Sequence, residues 1–113
     1  MRLDVYIENR HYPIEVSPET LAGGLPFFDK MDRDMDAGWR MGPEFVEHPD
    51  RLARGQIAAS RLLLAIESGN QAMVDAMAGY IAARLPQVRR VLIDTNGEPL
   101  NTQMLTADGE RVV

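Results

Sequence analysis

Apolar residues at Leu3, Val5 and Ile7, and again at Tyr12, Ile14 and Val16, alternate with polar neighbours on either side of a polar stretch. A period of two marks strands with one buried face, so residues 3 to 16 predict a β-hairpin. Setting Ile7 opposite Tyr12, Val5 opposite Ile14 and Leu3 opposite Val16 puts these apolar side chains on one face and Pro13 opposite Tyr6. In that register a two-residue turn at Asn9-Arg10 demands an N–H that Pro13 lacks. A four-residue loop over residues 8 to 11 is therefore expected, with residues 12 to 16 near a sheet edge.

The period then changes. Ser17-Pro18-Glu19-Thr20 suits a capped helix start, but Gly23-Gly24 and Pro26 leave room for one turn at most. Phe28, Met31, Met35 and Trp39 advance by three, four and four, which predicts a helix over residues 27 to 41, stopped by Gly42-Pro43. Asp29 with Arg33, Lys30 with Asp34 and Asp36 with Arg40 stand as i, i+4 pairs on its remaining surface. A short connection over residues 44 to 48 leads to Pro49 and a second helix, to about Ser68. Leu52, Ile57, Leu63, Leu64 and Ile66, interspersed with alanines, make that helix apolar over a wide arc, with Leu63 expected at its buried centre. Gly69 and Asn70 form a stop and a new cap. A helix over residues 71 to 85 should fold back antiparallel, with Met73, Met77, Tyr80, Ile81 and Leu85 inward.

Strand character returns over residues 88 to 95 and 100 to 105, around Asn96-Gly97, a strong two-residue hairpin signal that sets Ile93 opposite Leu100. A further turn over residues 107 to 110 leads to Arg111-Val112-Val113, a frayed end or a brief last strand. A lone hairpin is marginal in water, so both hairpins are expected in one sheet. The expected class is α+β: an N-terminal β-hairpin, three helices including an antiparallel αα-hairpin, and a C-terminal β-hairpin, with the helices on one face of a mainly antiparallel sheet.

With 113 residues, 45% of them hydrophobic, the chain fits one domain with one core. The absence of cysteine excludes thiol nucleophiles, thiolate metal sites and redox pairs. No stretch approaches 18 consecutive apolar residues, and the N-terminus alternates, so a cytoplasmic protein without membrane attachment is expected. The net charge of −5 is unevenly spread: residues 1 to 48 carry five basic against ten acidic groups, and the remainder carries seven of each. An acidic chain whose arginines lack interleaved aromatics is not expected to bind nucleic acid.

Candidate chemistry is sparse. Asp32, Asp34 and Asp36 match the opening of an EF-hand loop, but its sixth position is Ala37 and its twelfth is Pro43, so the run reads as an acidic helix face. Glu44, Glu47, His48 and Asp50 gather three carboxylates and an imidazole in seven residues, the donor types for a divalent metal or an acid–base pair, though in no established metal spacing. Ser17, Ser60 and Ser68 occupy no nucleophile elbow, and Gly23-Gly24, Gly42 and Gly55 build no phosphate or dinucleotide loop. No catalytic residue and no cofactor is assigned.

Seven methionines, many on the helical stripes, can fill a core or line an adaptable binding surface. The segment holding Phe27, Phe28, Met31, Met35, Trp39, Met41 and Phe45 carries more apolar area than one narrow stripe can bury, which makes it the expected interface. The expected function is non-enzymatic association, as a homodimer or as an accessory subunit with a protein partner. In a two-fold dimer, Asp29, Asp32 and Asp36 of one chain would then meet Arg51, Arg54 and Arg61 of the other. The alternative is a metal-assisted or acid–base enzyme, or a small-ligand binder, built on Glu44, Glu47, His48 and Asp50.

Overall fold

The alternation at the N-terminus does form a hairpin, β1 (Arg2–Ile7) and β2 (Arg10–Glu15), in a computed structural model that describes residues 1 to 112. Its register differs from the expected one. Leu3 lies opposite Ile14, Val5 opposite Tyr12 and Ile7 opposite Arg10, so Pro13 faces Asp4 across a two-residue turn at Glu8-Asn9. The displacement is two residues, which leaves each side chain on its expected face. Pro13 explains the choice: the Asp4 N–H points away from β2 and donates to the Arg89 carbonyl at 2.8 Å, so the ladder asks nothing of the proline nitrogen.

Ser17 caps α1 (Pro18–Gly23) by accepting from the Thr20 N–H at 3.1 Å, and α2 (Leu25–Asp36) follows directly. Phe28, Met31 and Met35 are buried along one side of α2, as their spacing requires. The helix does not continue to Met41. Gly38 adopts φ 105°, which leaves the helical path, and the chain turns into a separate hairpin of β3 (Trp39–Met41) and β4 (Glu44–Val46). Trp39 therefore belongs to a strand, where Met41 shares its side and is buried.

The long helix α3 (Arg51–Ser68) starts two residues later than expected, because Asp50 and not Pro49 ends the preceding turn: its carboxylate accepts the Ala53 N–H at 2.8 Å. Its buried side runs through Ala53, Gly55, Gln56, Ala59, Leu62 and Ala65. Leu63 is only half-buried, Leu62 is fully buried, and Leu64 is 66% exposed. Gly55 is inward because Leu85 occupies its space: a Cβ there would lie 2.9 Å from the Leu85 Cδ1. Asn70 caps α4 (Gln71–Arg84) by accepting from the Met73 N–H at 3.2 Å, and α4 packs back along α3.

The chain then enters β5 (Arg90–Ile93) and β6 (Gln103–Leu105), whose register places Val91 opposite Met104. Ile93 does not meet Leu100, since the connection is longer than a two-residue turn and holds a 3-10 turn at Pro99–Asn101. Two anchors account for that. The Asp94 carboxylate accepts the N–H groups of Asn96 and Glu98, and the buried Gln56 amide donates to the carbonyls of Leu100 at 3.1 Å and Thr102 at 3.0 Å. The turn over residues 107 to 110 forms, and Arg111 bridges back to Leu105 beside β6. Val113 lies outside the described residues.

Both hairpins join one sheet in the order β2-β1-β5-β6, antiparallel except where β5 runs parallel to β1. Helices cover one face, where Leu3, Val5, Ile7, Val91, Ile93 and Met104 meet Ile57, Leu62, Met77 and Ile81 in the core. The protein is thus α+β, with four α-helices and two sheets among the described residues. Burial at Leu62 makes Leu62→Ala cost about 2 to 5 kcal/mol in urea unfolding, against less than about 0.5 kcal/mol for Leu64→Ala. Equal costs for the two would contradict this inner face.

Candidate functional site

The apolar segment first expected to form an interface is largely consumed by the fold. Phe28, Met31, Met35 and Met41 are buried within the chain, and Trp39 is half-buried. Phe27, at 38% exposure, and Phe45, at 54%, remain open, but the part of α2 from Phe27 to Asp36 separates them, about 14 Å at 1.5 Å per residue. The Phe45 ring also lies over Gly38, where a Cβ would come within 2.6 Å of it. No continuous apolar stripe is left along this segment.

The acidic face of α2 is occupied too. Asp32 accepts the Tyr80 hydroxyl at 2.5 Å, Arg84 Nε at 3.0 Å and an Arg54 nitrogen at 3.3 Å. Arg84 also reaches Asp29 at 2.6 Å and Arg54 reaches Asp36 at 2.8 Å. Of the expected i, i+4 pairs only Lys30 with Asp34 forms, at 2.8 Å. Arg54 of α3 and Arg84 of α4 thus pair with α2 of their own chain, and a dimer rim built from Asp29, Asp32 and Asp36 against Arg54 would have to break these contacts. Burial pushes the Asp32 carboxyl up, but hydrogen bonds from Tyr80, Arg84 and Arg54 outweigh it and hold the group below the usual carboxylate range. Burial and then the Asp32 contact push the Tyr80 hydroxyl up, so it remains a donor. This cluster braces three helices.

Of Glu44, Glu47, His48 and Asp50, only His48 and Asp50 border a common cavity, an open one shared with Val46, Ala53 and Leu100. Glu44 sits on β4 opposite Met41, His48 takes φ 49° in the loop before α3, and the Asp50 carboxylate is committed to its cap. Among the described residues no group of three or more His, Asp or Glu side chains could hold a metal ion.

The site that does assemble lies on the sheet face that helices leave open. Strand register sets two rows across it. Pro13, Asp4, Arg90 and Leu105 form one, and His11, Tyr6, Leu92 and Gln103 the other. The Tyr6 and His11 rings stack with centroids 4.7 Å apart. His11 Nε2 lies 2.7 Å from the Asp4 carboxylate, and Arg2 approaches the same group at 3.2 Å. The His11 hydrogen bond chiefly, with the nearby Arg2 and His11 charges, holds the Asp4 carboxyl below its ordinary value against a smaller opposing effect of burial. Arg90 has no ion pair among the described residues. Tyr6, Leu92 and Leu105 are half-buried and line, with Arg90 and Gln103, a shallow concavity of about 500 Å³.

Sequence reasoning passed over this face, yet a signal was present. Val91-Leu92-Ile93 is an unbroken apolar run and Leu105 adjoins Met104, so both strands are apolar on both faces. Such strands call for cover on both sides. The chain matches no protein-family model, no curated protein and no solved structure.

The depressed Asp32 group contributes stability that is complete above its unfolded value of about 3.9 and is lost as pH falls through its lower folded value. Asp32→Asn should therefore cost about 2 kcal/mol at pH 7, and the gap from wild type should narrow below about pH 4. Urea midpoints across that range measure it. A gap independent of pH would contradict an ionised, bridging Asp32.

Proposed function

We propose that the protein acts without catalysis, in the cytoplasm, by associating with a protein partner through the open face of its four-stranded sheet. The observation that carries this reading is the pair of strands with apolar residues on both faces. Leu92 and Leu105, beside Tyr6, occupy the face that no helix covers. Half-buried apolar side chains beside charged groups suit an association surface, and a concavity this shallow suits another protein's side chains better than an enclosed small molecule.

Charge supports a protein partner over nucleic acid. The chain carries −5, and Glu8 and Asp94 line the concavity beside Arg90, where they oppose a phosphate backbone. No helix among the described residues is long and apolar enough to cross a membrane.

Hydroxyl-radical labelling tests this reading. Tyr6, Leu92 and Leu105 should be protected in intact cells relative to dilute purified protein, while Leu64 on the outer side of α3 labels equally in both. Equal labelling of the sheet face in cells and in dilute solution would contradict it.

A further inference from the structure

We propose that the occupant of the open sheet face is a second copy of the same chain, stacked face to face about a two-fold axis that runs along the strands between β1 and β5. This deepens the reading above and rests on it.

The argument is self-complementarity. In the order β2-β1-β5-β6 such an axis lies at the middle of the sheet, so β1 of one copy faces β5 of the other and β2 faces β6. The observed register then fixes which residues meet. Asp4 and Arg90 are neighbours in one row, so across the axis each Asp4 faces the other copy's Arg90. Tyr6 and Leu92 are neighbours in the next row, so aromatic faces aliphatic. At the flanks Pro13 meets Leu105 and His11 meets Gln103. Two-fold symmetry repeats every pairing, so no like charges are opposed in these two rows, while the acidic Glu8 and Asp94 that border the concavity lie past the row of Tyr6 and Leu92, beyond the ends of β1 and β5.

The charges argue for it separately. Arg90 lacks an ion pair among the described residues, although Asp4 is its register partner; Asp4 is turned instead toward His11 and Arg2. A stacked copy would give the Arg90 guanidinium a carboxylate while covering Leu92 and Leu105. Sheets stack about 10 Å apart, a gap that Tyr6 against Leu92 and Arg90 against Asp4 can fill. A face of four short strands buries little area, so the dimer belongs with the transient class and is concentration-dependent.

Sedimentation velocity over roughly 5 to 500 µM, with folding checked by circular dichroism, provides the test. Wild type should pass from monomer to dimer within that range. Asp4→Arg alone sets Arg against Arg90, and Arg90→Asp alone sets Asp against Asp4, so each variant should dimerise at least about tenfold more weakly. An equimolar mixture of the two should recover a dimer, since opposite charges again face each other on both sides of the axis. If either variant fails to fold, Leu92→Glu serves to break the dimer, and Leu64→Glu should leave it intact. A wild type that stays monomeric throughout, a mixture that does not associate, or a dimer indifferent to Leu92→Glu would overturn the proposal. A monomer whose sheet face is nevertheless protected in cells would overturn self-association alone and leave the wider association reading standing.

Discussion

Asp32 sits where three helices meet, and a half-buried carboxylate is tolerable there only because the Tyr80 hydroxyl and two arginines supply what water no longer does. The position of α2 follows from this. Tyr80 and Arg84 belong to α4 and Arg54 to α3, so satisfying one carboxylate fixes α2 against both partners, with Phe28 edge-on to the Tyr80 ring at 6.0 Å. The same contacts spend the charges of α2 inside the molecule. What remains on the helical side is a scatter of single exposed apolar residues, such as Leu25, Phe45 and Leu64, a pattern ordinary for protein surfaces.

How much of this could be read from the sequence depended on how local each determinant is. The strand faces were legible, because alternation at Leu3, Val5 and Ile7 assigns each residue to a side. The registers were not, because a shift of two residues preserves every side. They turned on distant or unusual features: Glu8 at φ 56° in the first hairpin, and Gln56 holding the Leu100 and Thr102 carbonyls in the second. Caps at Ser17 and Asn70 and the αα-hairpin were legible because each rests on a few adjacent residues.

The end of α2 was misread because Trp39 stands four residues after Met35 and so extends the stripe by coincidence. Trp39 with the buried Met41 is equally a period of two, and Gly38 decides between them. In α3 three consecutive leucines leave the inward one open, and Leu62 is chosen by its spacing from Gly55 and Ala59. The ion pairs escaped for a simpler reason. Arg84 lies 55 residues from Asp29 and 52 from Asp32, beyond any i, i+4 rule. With those pairs hidden, the 27 to 45 segment looked uncovered and drew attention from Leu92 and Leu105, whose apolar strands called for cover on a second face.

The brace at Asp32 closes one side of the molecule while strand composition leaves the other unfinished, and it is on that second side that we propose association. The measurement that bears on it most directly is a dilution series of isotope-labelled protein followed by amide chemical shifts. The account predicts concentration-dependent shifts at Tyr6, Arg90, Leu92 and Gln103, with Phe27, Trp39 and Phe45 unmoved. Shifts centred on Phe27 and Phe45, with the sheet face unmoved, would contradict it.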